Sequence, residues 1–399
     1  MSAAAAPAIP AEVLEIARTL EAAGHEAWCV GGALRDALLG HPHADYDFAT
    51  SATPTQITAL FRRTAPVGEK YGTVGVLDRH RVVHEVTTFR RDVSTDGRHA
   101  VVAYGVSLDD DLARRDFTIN AIAYHPLRHE WRDPFGGRAD LERGLLRAVG
   151  RPADRFHEDY LRILRGLRFA ARFGFAFEPA TWDAAVAAAP GLAQLSAERV
   201  RDEWFKGLRT ARSVSELVAL WIRVGAAPCW LPELVGVAPD RLAAAAAMPV
   251  DRRDPVLLTA LLLDDAAPVL RRLRASNAEI ERAAAMTRGP AAPAAPAAGD
   301  ARAVRHWLAA VGRAADDLLA LHALRHGAPA PWADAVAAAR ERGDPLSRAD
   351  LVVTGRDLQA LGATGPRVGE VLAALLERVL DEPQLNQRDT LLALARELL

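Results

Sequence analysis

Cys29-Val30-Gly31-Gly32-Ala33-Leu34-Arg35-Asp36, followed after a short interval by Asp45-Tyr46-Asp47, is the stretch from which the fold can be read. Ala27–Val30 reads as a short strand, Gly31–Gly32 as a turn, and Ala33–Leu39 as a helix closed by Gly40. Tyr46–Ala49 reads as the next strand. Residues two apart on a strand share a face, so Asp45 and Asp47 present two carboxylates side by side. Two like charges so close require a cation between them or a proton on one. Hard oxygen ligands of this kind suit Mg²⁺, which binds through one or two carboxylates together with substrate phosphates. Glycines ahead of a helix leave backbone N–H groups bare at a positive dipole end, which fits a triphosphate, and Arg35, one turn in, reaches the same anion.

Taken singly these signals are weak, since an Asp-x-Asp pair is usually a solvated strand edge. Together they read as the palm of a nucleotidyltransferase, in which a hydroxyl attacks an α-phosphate in line with the help of two metal ions. Glu85, in Val83-His84-Glu85-Val86-Thr87, is the candidate third acid; an ordinary exposed strand position reads equally well there.

Outward from this stretch the first 145 residues mix two periods. A helix is expected over 11–23, with Val13, Leu14, Ile16, Ala17 and Leu20 as its apolar stripe. Another is expected over Thr53–Phe61, with Pro54 in its first turn. Gly72–Leu77 and Arg81–Phe89 alternate as strands around a turn at Asp78–His80. Asp92–His99 reads as a mobile polar loop, and Phe117–Tyr124 as a strand or strand–helix junction. Beyond about residue 140 nearly every segment has helical period and Ala/Leu/Arg composition, interrupted by a Pro/Ala linker at Ala291–Gly299. His157–Phe173 reads as one helix, on which Asp159, Arg162, Arg165 and Arg168 fall three apart along a ridge. The layout is α+β: a mixed-sheet head followed by helices.

Three groups of residues, taken in order, resemble the signature motifs of class II tRNA nucleotidyltransferases. These are the bacterial CCA-adding enzymes, whose head is shared with bacterial poly(A) polymerases. The groups are Gly31-Gly32-Ala33-Leu34-Arg35-Asp36 with Asp45-Tyr46-Asp47, Arg114-Arg115-Asp116-Phe117-Thr118-Ile119-Asn120-Ala121, and Glu158-Asp159-Tyr160-Leu161-Arg162. The resemblance covers roughly residues 25–175, with a weaker echo in Gly355-Arg356-Asp357-Leu358 and Gly365-Pro366-Arg367-Val368-Gly369. It implies a polymerase-beta-like head over 1–145, a helical neck over 146–212, a body over 213–290 and a tRNA-binding tail over 300–399.

The resemblance also implies roles. Gly31, Gly32 and Arg35 would meet the triphosphate, and Asp45 and Asp47 would bind Mg²⁺. Arg115, Asp116 and Asn120 would hold ribose and phosphates, with the 2′-hydroxyl as the mark of a ribonucleotide. Asp159 and Arg162 would act as a protein template for the base, and Arg165 and Arg168 would meet phosphates. A loop over Arg91–Tyr104 would retune the pocket from CTP to ATP. The implied substrates are CTP, ATP and the 3′ acceptor end of tRNA, with no membrane and no protein partner. CC-only addition and poly(A) synthesis stay open as enzymatic alternatives, and a catalytically dead RNA-binding scaffold as one of another class.

Composition bounds these readings without choosing among them. The chain has 399 residues, a formal net charge of −2 and 50% hydrophobic residues, which suits several globular domains. No apolar run is long enough to span a membrane, no secretory signal is legible in residues 1–11, and a cytoplasmic enzyme is expected. Cys29 and Cys229 are too few for a disulfide framework. Lys70 and Lys206 are the only lysines, so the cations are almost all Arg. GC-rich coding explains that as well as bidentate phosphate recognition does. The run Arg199, Arg201, Lys206, Arg209 and Arg212 around Trp204 and Phe205 reads either as an RNA-facing helix or as core aromatics with ordinary surface arginines.

Overall fold

The computed structural model describes residues 7–41, 46–67, 72–95, 100–288 and 300–399. The chain divides into two compact units, Met1–Val235 and Gly236–Leu399. The first opens with α1 (Ala11–Ala22), which buries Val13, Ile16, Ala17 and Leu20, as an amphipathic period requires. There follow β1 (Ala27–Val30), α2 (Gly31–Leu38), β2 (Asp47–Thr50), α3 (Pro54–Leu60), β3 (Thr64–Ala65), β4 (Thr73–Leu77) and β5 (Val83–Thr88). A hairpin of β6 (Arg90–Thr95) and β7 (Ala100–Tyr104) leads to α4 (Leu108–Ala113), and β8 (Ala123–His125) and β9 (Glu130–Arg132) complete the sheet. Its seven strands run in the order β3-β4-β5-β2-β1-β8-β9. β2 and β5 are parallel and the other neighbours antiparallel, so the sheet is mixed.

Alternation along the strands builds a core on each face of this sheet. Ala27 and Cys29 of β1, with Phe48 of β2 and Val86 of β5, pack beneath α1 and α3. Trp28 and Val30, with Ala49, pack on the other side against Leu108 and Leu112 of α4. Asp47 lies on the same side of β2 as Ala49. The unit continues with α5 (Gly137–Arg143), α6 (Pro152–Glu158), α7 (Leu161–Phe173), α8 (Pro179–Ala188), α9 (Ala197–Thr210) and α10 (Val214–Val224). Trp204 of α9 and Trp221 of α10, both fully buried, meet edge to face at 5.2 Å.

The second unit is helical throughout its described residues, from Pro239–Ala247 to Arg388–Leu398. One of its cores gathers Val304, Trp307 and Leu308 with Val336 and Ala339. Another gathers Leu358, Val371, Leu375 and Leu391. Arg282 joins Asp254 to Asp317 at 2.9 and 2.6 Å. No helix among the described residues is long and apolar enough to cross a membrane.

Four expectations about local structure change. No turn separates β1 from its helix, because α2 begins at Gly31 itself, which takes the corner with φ +80°. β2 spans Asp47–Thr50 and not Tyr46–Ala49; Asp45 lies outside the described residues, and so does Lys70. Most of the polar segment expected as a loop at Asp92–His99 is strand: Arg90–Thr95 pairs antiparallel with Ala100–Tyr104, with a register shift between Asp92 and Ser94. The β-branched run Val101-Val102 explains the pairing; residues 96–99 and the linker at 291–299 lie outside the described residues. The helix read over His157–Phe173 breaks at Asp159–Tyr160. Asp159 is extended (φ −157°, ψ 105°) and its side chain accepts from the Leu161 N–H at 3.0 Å. That local bond competes with the helical one and starts α7 afresh.

Candidate active site

The C-terminal end of β1 and the N-terminal ends of β2, α2 and α7 converge on a cleft of about 620 Å³ within the first unit. Its described lining holds eight arginines (35, 90, 114, 115, 162, 165, 168 and 199) against three aspartates (47, 116 and 159). In a chain whose net charge is −2, that concentration of guanidinium groups makes the cleft a site for a polyanion.

One wall is the Gly31–Gly32 corner. An ideal Cβ on Gly31 would lie 3.0 Å from Asp47 Oδ2 and 3.8 Å from Arg115 Nη1. The bare glycine is therefore required twice, by the positive φ and by the carboxylate that crosses it. Asp47 supplies a hard oxygen donor over exposed backbone, which fits a divalent cation shared with phosphates. Phe48 and Val86 are register partners on adjacent parallel strands, so Glu85, the third residue of β5, falls beside Asp47 on the same side of the sheet. Glu85 itself is exposed and does not line the cleft. Among the described residues no group of three His, Cys, Asp or Glu is placed to hold a metal.

Arg35 is buried, and its guanidinium lies 4.9 Å from the ring centres of both Phe169 and Phe173. Its Nε donates to Asp36 at 2.8 Å and its Nη1 to Asn120 Oδ1 at 2.5 Å. Asp36 in turn accepts from Arg172 at 2.7 Å. Arg35 thus ties α2 to α7 at the cleft wall.

The second motif forms the floor. After α4 a 3₁₀ turn, Thr118–Asn120, leads into β8 within the segment Phe117–Tyr124 read as a strand or strand–helix junction. The fold is held here by Asp116, whose Oδ1 accepts from the Phe117 N–H and Asn120 Nδ2, both at 2.8 Å, and whose Oδ2 accepts from Arg165 Nε at 2.8 Å. Burial alone would raise its pKa; the Arg165 charge and these three hydrogen bonds outweigh that and hold the carboxyl far below the usual carboxylate range. Arg115 donates to the Asn120 carbonyl at 3.1 Å and to Asp111 at 3.2 Å.

The α6–α7 break supplies the remaining wall. Asp159 Oδ2 accepts from Arg199 of α9 at 2.6 Å. Arg162 donates to Glu158 at 2.7 Å and to the Arg114 carbonyl at 3.0 Å. Arg168 donates to the buried Glu203 at 2.6 Å. The pair is therefore preset from three elements, with Asp159 off the Arg ridge and not on it.

Gly31, Gly32, Arg35, Asp47, Arg115, Asp116, Asn120, Asp159, Arg162, Arg165 and Arg168 all border one cleft, across more than 130 residues of sequence. Asp45 falls outside the described residues and Glu85 stands aside. Arg90, Arg114, Phe169 and Arg199 also line the cleft without having been singled out as site residues. Phe169 follows Arg165 by four on the same helix face, a legible spacing. Arg199 sits in the basic run of α9, but only tertiary packing separates it from the buried Trp204 and Phe205 of that run.

Residues 27–147 match the family model described as the poly A polymerase head domain, and residues 174–235 the one described as a probable RNA- and SrmB-binding site of polymerase A. A CCA-adding enzyme of Geobacillus stearothermophilus is 35% identical over 397 residues, covering 96% of this chain and 95% of that protein. One from Lactiplantibacillus plantarum is 46% identical over 207 residues, about half of each chain. The crystal structure of the Bacillus stearothermophilus CCA-adding enzyme in complex with CTP superposes with a TM-score of 0.77 at 34% identity, covering 97% and 96% of the two chains. The Thermotoga maritima CCA-adding enzyme complexed with tRNA shares the fold, with a TM-score of 0.57 at 19% identity.

Proposed function

Because the chain belongs to the CCA-adding enzyme family, as its identity across nearly the whole of one such enzyme shows, we propose that it builds or repairs the full 3′-terminal CCA of tRNA. The substrates are CTP, ATP and the tRNA acceptor end, and pyrophosphate leaves. The observation that carries this reading is the single arginine-rich cleft that gathers all three motifs. Its chemistry is in-line nucleotidyl transfer, set in the cytoplasm. The finer partition belongs to the same proposal: head to 145, neck 146–212, body 213–290 and tail 300–399.

Gly31 and Gly32 leave room for the triphosphate, and the arginines of the cleft neutralise it. Asp116 and Asn120, already locked to each other, orient Arg165 and Arg35 around the sugar and phosphates. Asp47, with Asp45, would hold Mg²⁺. Bound there, the ions supply a more acidic 3′-hydroxyl and charge neutralisation for pyrophosphate. Asp159 accepts from the exocyclic amino group of C or A, and Arg162 donates to the ring acceptor. A carboxylate accepts roughly four hydrogen bonds, and two of Asp159's are used by Arg199 and Leu161. G and U present the opposite polarity and would leave buried polar groups unpaired.

Asp47→Ala tests the assignment. Incorporation of labelled CTP is expected to fall to background while tRNA binding, measured by filter retention, stays within two- to three-fold of wild type. Full retained activity refutes the metal role.

A further inference from the structure

We propose that Gly191, which lies outside the lining of the cleft, is a specificity-determining position, because it seats the ring of Tyr160 and so fixes the bend that presents Asp159 and Arg162. This rests on the template reading of those two residues. Tyr160 is the single residue between extended Asp159 and α7, and its own carbonyl accepts the Ile163 N–H at 3.1 Å, next to the Arg162 N–H bond to the Asp159 carbonyl at 3.0 Å. Its ring lies so close to Gly191 that a Cβ there would fall 2.1–2.4 Å from three ring carbons. Gly191 belongs to a 3₁₀ segment, Ala189–Gln194, that cannot easily retreat. Gly191 and Leu192 are buried, and Trp230 Nε1 holds the Leu192 carbonyl at 2.8 Å.

Any side chain at 191 therefore displaces the ring and not the Ala189–Gln194 segment. Tyr160 is bonded directly to Asp159, so the bend loses its fixed point. The Arg199 and Glu158 contacts then hold Asp159 and Arg162 in a broader set of positions. Recognition by two hydrogen bonds of opposite polarity depends on their spacing, and a small misplacement weakens the cognate base more than the non-cognate one. The effect works through position alone, since neither residue touches the cleft.

The experiment measures kcat/KM for CTP and for UTP on tRNA lacking its last three nucleotides, with Tyr160→Ala, Gly191→Ala, the double variant and Tyr160→Phe. Each single alanine variant is expected to lower CTP-over-UTP discrimination about ten-fold, the scale of a misplaced but undeleted contact. The double variant is expected to lower it no further, because one contact is lost in all three. Tyr160→Phe, which keeps the ring, is expected to restore wild-type discrimination. Thermal unfolding identifies a Gly191→Ala chain that fails to fold; the Tyr160→Ala and Tyr160→Phe pair then decides alone. Wild-type discrimination by folded Tyr160→Ala overturns the inference, as do additive losses in the double variant. Asp159→Ala is run alongside. If it too discriminates like wild type, the template reading has failed; if it relaxes base choice while Tyr160→Ala does not, only the seating of Tyr160 has.

Discussion

Asp116 decides more of the site than any other single residue. It is 8% exposed, and it binds the backbone, Asn120 and Arg165 at once. Its folded pKa is depressed, so its contribution to stability is fully present above the unfolded value near 4 and is lost as pH falls through the lower folded value. Asp116→Ala is expected to cost about 3 kcal/mol, the low end for breaking a buried pair, because Arg165 keeps 35% of its side chain exposed. Asp116→Asn is expected to flatten the acid limb of a plot of unfolding temperature against pH, from about pH 4 downward. An unchanged limb would remove Asp116 from the stabilising network. The motif Arg114–Ala121 is legible in the sequence, but the bond that Arg165, 49 residues on, donates to Asp116 is not. Nothing local marks which of the several arginines of α7 turns toward it.

At the scale of elements, the strand-to-helix corner at Gly31 carries the clearest consequence. A residue with a Cβ at φ +80° meets both left-handed strain and the Asp47 carboxylate. Gly31→Ala is expected to destabilise the protein by about 1–2 kcal/mol, and to reduce turnover more than that loss explains, since Asp47 must shift. Calorimetry and single-turnover kinetics on the same preparation check this, and wild-type turnover with lowered stability would contradict it. The strand, the glycines and the helix are legible in the sequence, whereas the direct run of the strand into α2, with no turn between them, is not. A glycine pair signals positive φ without saying which neighbour follows. The break at Asp159–Tyr160 escaped for a related reason. Helical periodicity persists across it, while the cap that makes it is one hydrogen bond, from the Leu161 N–H to the Asp159 carboxylate. The hairpin at Arg90–Tyr104 was hidden by the polarity of its first strand.

For the whole molecule, the order of the three motifs in the sequence already pointed to a mixed-sheet head and a helical remainder, and to the family. Their meeting in one cleft follows from topology that no local pattern encodes: β2 lies between β1 and β5, and α7 returns to stack Phe169 and Phe173 on Arg35. The choice among full CCA, CC alone and a run of A turns on how that cleft serves two nucleotides in succession. The direct measurement supplies tRNA lacking its last three nucleotides with CTP, ATP and Mg²⁺ and sequences the product ends. The account predicts C, C and A added in that order and no further. Ends that stop at CC, run on as A, or remain unextended would contradict it.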